Sequence, residues 1–134
     1  MKILQPPGWP RPKGYSNGVS AKIGNNGRMI FTAGVVGWDE QEHFPSYHLH
    51  EQFAQALHNT VAILREDGAG PEHVVRMTCY ITQRDEYLRE RDEIGAHWRT
   101  IMGANFPAMA LVEVKSLVES SAKVEIETIA VVPD

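Results

Sequence analysis

Residues 123 to 132, KVEIETIAVV, alternate without a break: Val124, Ile126, Thr128, Ala130 and Val132 point one way, Glu125, Glu127, Ile129 and Val131 the other. A period of two sustained this long commits the stretch to a strand, and its two faces need different neighbours. The first is apolar enough to carry a core. The second mixes carboxylates with branched apolar side chains, a composition poorly suited to open water, and burial against another subunit would account for its apolar part.

The other elements decide what covers the first face. An element containing Val19 and Ile23 begins near Tyr15, GNNG at 24–27 tolerates positive φ, and MIFTAGVVG follows, which predicts a hairpin. Leu49, Phe53, Ala56, Leu57, Ile63 and Leu64 share one face of a helix over about 48–67, closed by Gly68. VVRMTCYIT at 74–82 reads as a third strand from its β-branched and aromatic content. Asp85 is the expected N-cap of a second helix to about 102, with Tyr87, Ile94, Trp98 and Ile101 as its stripe. FPAMALVEV at 106–114 alternates again, with Met109 and Leu111 on one side and Ala108 and Ala110 on the other. Two helices cannot cover both faces of such a sheet, so both are expected on one face of an α+β domain. A single domain is expected over residues 1–134, with 1–14 as an extended arm rich in Pro and Gly.

Charge and composition narrow the partners. A net charge of −4 supplies no broad basic field, so nucleic acid is not an expected partner. The longest apolar runs fall far short of the roughly 18 residues of a membrane span, and the N-terminus lacks an apolar signal region, so no membrane association is expected. A single cysteine, Cys79, excludes a Cys-based zinc cluster and suits a reducing compartment, which makes the cytoplasm the expected location.

Four stretches in order along nearly the whole chain resemble the Rid family of small cytosolic proteins, also called YjgF or UK114. They are GYSNGV at 14–19, MIFTAG at 29–34, QFAQALHN at 52–59, and FPA followed by VEIETIAV at 124–131. The resemblance implies a chorismate-mutase-like (YjgF-like) fold, with a mixed sheet and two helices on one face. It further implies a homotrimer whose sheets form a central barrel, with ligand clefts between subunits. The activity it implies is hydrolysis of reactive imines and enamines to a ketoacid and ammonia, with no cofactor. In such members a proline, an alanine and an arginine open the penultimate strand, and the arginine grips the substrate carboxylate through a bidentate pair.

Here the arginine position is Met109, an apolar thioether that cannot pair with a carboxylate, and Leu111 two residues on is apolar as well. The family serine beside the second-strand glycine is Ala33. Tyr15, Gly34, Pro107, Ala108 and Glu125 keep the pattern, and Glu125 resembles the carboxylate that activates water. Arg91 stands where the family usually carries an asparagine directed at the cleft, four residues after Tyr87 and so on its helical face. Either the guanidinium has moved to the helix, so that the cleft accepts an anion with an apolar body lying on Met109 and Leu111, or Arg91 is a solvated charge paired with Glu90, Glu93 or another neighbour. The expected function is deamination of an apolar imine, enamine or related unstable metabolite. The alternative is a non-catalytic trimer that binds a metabolite or regulates a partner, which the loss of arginine and serine favours. An endoribonuclease fits worst, since no basic and aromatic stripe accompanies the negative charge.

Other candidates have plainer readings. His48 and His50 lie about 200° apart on a helix and could not chelate together, and His43, His58, His73 and His97 show no paired spacing, so no metal site is expected. Cys79, with Val75, Met77 and Ile81 on its face, reads as a structural thiol. Trp38 and Phe44 could form a lid or anchor their loop. Glu113 and Glu127 are expected in water.

Overall fold

The computed structural model describes residues 1–13 and 15–133; Gly14, which opens GYSNGV, and Asp134 lie outside the described residues. Strands β1 (Lys2–Leu4), β2 (Gly18–Ile23), β3 (Gly27–Thr32), β4 (Val35–Val36), β5 (Val74–Ile81), β6 (Ala108–Glu113) and β7 (Val124–Val132) form one sheet, with helices α1 (Leu49–Arg65), α2 (Arg84–Arg89) and α3 (Arg91–Met102). The order is β1-β2-β3-β7-β5-β6, with β4 also on β7. β5 and β6 run parallel and the other pairs are antiparallel, so the sheet is mixed. The longest alternating stretch therefore occupies the middle, where both its faces matter.

One face of β7 is sealed. Val124, Ile126 and Ala130 are fully buried with Ile30, Met77 and Cys79, and the apolar stripe of α1, from Leu49 through Phe53 and Leu57 to Leu64, closes over them. Apolar area removed from water at about 25 cal/mol per Å² is the main term holding the helix to the sheet. The architecture is α+β, as the count of helices and strands implies. Among the described residues no helix is long and apolar enough to cross a membrane.

Four local features differ from the sequence reading. The N-terminal arm contributes an edge strand: β1 pairs with β2, Leu4 is fully buried, and Lys2 Nζ bonds Asp67 Oδ1 at 3.0 Å. Three residues are too few to show a period. MIFTAGVVG is not one strand, because β3 stops at Thr32 and β4 resumes at Val35, both on β7. The second helix starts at Arg84, after Gln83 rather than Asp85, and breaks at Glu90, whose φ of −105° and ψ of 16° interrupt the ladder. Val75 leaves the face of Cys79, since a bulge between Val74 and Arg76 turns it outward to 45% exposure.

Candidate functional site

The break between β3 and β4 builds the first part of the site. Thr32 turns its hydroxyl to the amide of Thr128, accepting at 3.0 Å, and Ala33 N donates to Asn17 O at 2.7 Å, so the ladder opens here. Glu125, paired with Val36 on one side and Tyr80 on the other, lays its side chain across Gly34. A Cβ on Gly34 would lie 2.7 Å from Glu125 Cδ, so any side chain there would push the carboxylate end of Glu125 aside. Tyr15, Ala33, Gly34 and Glu125 line a cavity of about 360 Å³, completed by Trp38 and by Glu119 from the β6–β7 loop.

This cavity is rich in negative charge. Burial pushes the Glu125 carboxyl above the ordinary glutamate range, and the neighbouring charge of Glu127 adds to it. The Tyr15 phenol is raised by burial and then by the charges of Glu42, Glu119 and Glu125. A carboxylate with a raised pKa beside a phenol that stays protonated is suited to passing a proton to and from water. Glu127 is exposed, as expected, and accepts Tyr80 Oη at its Oε1 at 2.6 Å. Glu113 accepts the amide of Arg84 at 2.9 Å.

The second part lies between α3 and the edge strand β6. The parallel register sets Met109 beside Met77 and Leu111 beside Cys79, so both point to the helix side of the sheet. Together with Tyr87, Arg91, Ile94 and Trp98 they line a groove of about 410 Å³, which Phe53, Phe106, Gly95 and Arg99 complete. Tyr87 and Arg91 thus share a groove although they stand on two separate helices. The alternative pairing of Arg91 with Glu90, Glu93 or another carboxylate is not made among the described residues. Glu90 instead accepts the amide of His50 at 2.8 Å, and among the described residues no carboxylate lies within 4.0 Å of Arg91 or Arg99.

The eight residues expected in one cleft therefore divide, with Tyr15, Ala33, Gly34 and Glu125 in one cavity and Tyr87, Arg91, Met109 and Leu111 in the other. Sequence reasoning missed Glu119, Gly95, Arg99 and Phe106 as lining residues. Arg99 could have been found, since it falls eight residues after Arg91 on the same helical stripe.

QFAQALHN holds the loops around the first cavity rather than supplying chemistry. Gln52 donates to Ser46 O and Ser121 O at 3.0 and 2.9 Å and accepts Lys123 N at 2.8 Å; Asn59 donates to Val36 O and Trp38 O. The Trp38 loop is thereby anchored to α1, and Trp38 packs on Phe44 with ring centroids 5.9 Å apart. The histidines are also less isolated than their spacing implies: His50 Nδ1 and His97 Nε2 are 3.1 Å apart across α1 and α3, with the rings stacked. Among the described residues no group of three or more His, Cys, Asp or Glu is arranged to hold a metal ion.

The comparisons with known proteins agree with this architecture. A family model described as Endoribonuclease L-PSP matches residues 10–132. The RutC family protein slr0709 of Synechocystis is 32% identical over 136 residues, covering 99% of this chain and 98% of the relative. The crystal structure of E. coli TdcF with bound serine superposes with a TM-score of 0.79 at 27% identity, over 98% of this chain and 99% of that one. The E. coli YjgF gene product gives 0.77 at 29% identity over 98% of both chains. By sequence and fold together, the chain belongs to the YjgF/Rid family that the Endoribonuclease L-PSP model describes.

Proposed function

We propose that this protein hydrolyses a reactive imine or enamine without a cofactor, with Glu125 handling the water. The observation that carries this reading is the Glu125 carboxylate laid over Gly34 in a cavity shared with Tyr15, its pKa raised by burial. In this reading Glu125 takes a proton from water as the water oxygen adds to the imine carbon, and passes that proton to the nitrogen, giving the amine of a carbinolamine. Collapse of that adduct breaks the C–N bond while the hydroxyl proton moves through Glu125 to the departing nitrogen, and ammonia and a carbonyl compound are released. One water is consumed per ammonia.

The two cavities are brought into one site by a homotrimer, in which the Glu125 cavity of one copy faces the Met109 groove of the next. Met109 and Leu111 then select an apolar substrate body, and Arg91 holds a carboxylate that the strand no longer binds. TdcF, whose crystal structure carries serine, is a relative with a small-molecule ligand.

Imines generated in the presence of the protein test this reading. Ketoacid and ammonia should appear faster than in buffer, and Glu125→Gln should cut the excess rate by about 100-fold, the usual range for loss of a general acid or base. If neither short aliphatic nor aromatic imines are hydrolysed faster than in buffer, the second reading takes over. It is a trimeric binding or regulatory protein, favoured by Met109 and Ala33 standing in place of the family's arginine and serine.

A further inference from the structure

We propose that the groove between α3 and β6 is a binding site for an aromatic carboxylate, clamped by Arg91 and Arg99 across an opening left by Gly95. The inference deepens the function proposed above and rests on its assignment of the groove to the substrate body. Arg91, Ile94, Gly95, Trp98 and Arg99 follow one another at helical spacing along the groove wall, so the two arginines lie about 12 Å apart along the axis at the backbone. The Arg99 side chain shortens that distance. A Cβ built on Gly95 would meet Arg99 Nη1 at 3.5 Å, which places the Arg99 guanidinium one turn back along α3, toward Arg91.

Gly95 itself has no other explanation in the fold. It lies inside α3 and is not among the positive-φ glycines, and 3.5 Å is ordinary van der Waals contact, so alanine would fit and would favour the helix. What glycine preserves is open space between a guanidinium and the apolar wall. That wall has four aromatic rings, from Phe53, Tyr87, Trp98 and Phe106, with the Met109 thioether among them, and Phe106 stands 76% exposed. Rings and thioethers favour a flat aromatic partner. The charge is complementary too. The chain carries −4 overall, yet the groove lining has two arginines and no carboxylate. An amphipathic anion fits this lining, and a cation of the same shape does not.

Calorimetric titration of the purified full chain with phenylpyruvate, pyruvate and phenethylamine tests the assignment without requiring catalysis. Phenylpyruvate should bind at least about ten-fold tighter than pyruvate, and phenethylamine should not saturate. Arg99→Leu and Arg91→Ala should each weaken phenylpyruvate by about ten-fold, the scale of a lost charge-assisted hydrogen bond. Gly95→Ala should raise Tm by a few degrees while weakening phenylpyruvate, a pairing that a merely structural glycine would not produce. Equal affinity for phenylpyruvate and pyruvate, or binding indifferent to both Arg99→Leu and Gly95→Ala, overturns the proposal, and the latter would leave the groove to a second copy of the chain. Hydrolysis of aliphatic imines without phenylpyruvate binding would overturn this inference and spare the proposed activity; binding without hydrolysis would do the reverse.

Discussion

At the scale of single residues the proposed chemistry rests on Glu125 and Gly34, and their geometry fixes what substitution should do. A carboxyl whose pKa is raised on folding is held less comfortably charged than it is in the unfolded chain. Its cost is absent below the unfolded pKa and grows as pH rises to the folded one. Glu125→Gln removes that cost, so at pH 7 the variant should unfold in urea at the same or a higher midpoint while losing hydrolysis. Activity should in turn fall on the acid side, through an apparent pKa above that of an ordinary glutamate. Gly34→Ala should act oppositely on structure: its methyl has no room beside Glu125, so it should displace the carboxylate and reduce turnover by about ten-fold or more. The choice of Glu125 as the candidate carboxylate came from the family pattern. So did its expected difference from Glu127, but not the physical basis of that difference, because both stand on one face of β7, and only the Gly34 break and the Tyr80 hydroxyl give them separate partners.

Among the elements, α2 is the one whose role sequence reading could not supply. His48 makes no side-chain cap for α1, and the free amides at that end are met from outside, Leu49 N by Glu86 Oε1 at 3.1 Å and His50 N by Glu90 Oε1 at 2.8 Å. Glu86 on α2 and Glu90 at the break between α2 and α3 thus cap another helix and oppose its dipole. This accounts for the break at Glu90, where no proline or glycine stands. Burial alone would raise the Glu86 pKa, but Lys123, the Leu49 amide and Arg89 outweigh it and hold the carboxyl below its usual range. Asp67, bonded by Ser20, Lys2 and Arg28 against the same burial effect, is lowered likewise. For a depressed carboxyl the stabilisation is complete above the unfolded pKa and is lost as pH falls through the folded one. Stability should therefore decline below about pH 4. Glu86→Gln should flatten that decline and cost about 1–2 kcal/mol at pH 7 by urea denaturation. Helix periodicity showed the apolar stripe but not the break, since capping between elements leaves no local signature.

For the molecule as a whole, the open face of the sheet is the outstanding feature. Phe31 at 37% exposure, Val75 at 45% and Val112 at 43% remain uncovered in the single chain, with Ile129 beside Phe31 in the β3–β7 register. The trimer proposed above would bury them. Light scattering should give a mass of three chains, and Phe31→Glu, which sets a charge on that face without touching either cavity of the proposed site, should lower it. A wild-type mass of one chain would remove the basis for a shared cleft. The sequence alone determined the α+β class, the strand that became β7, and the family. Each is written locally, in a period of two or 3.6 or in a motif. Only the tertiary structure decided that the expected cleft residues lie in two cavities, that Arg91 and Arg99 have no carboxylate partner among the described residues, and that Gly95 lines the groove between α3 and β6. Those facts depend on which distant side chains meet, and that is set by packing between elements rather than by neighbours in sequence.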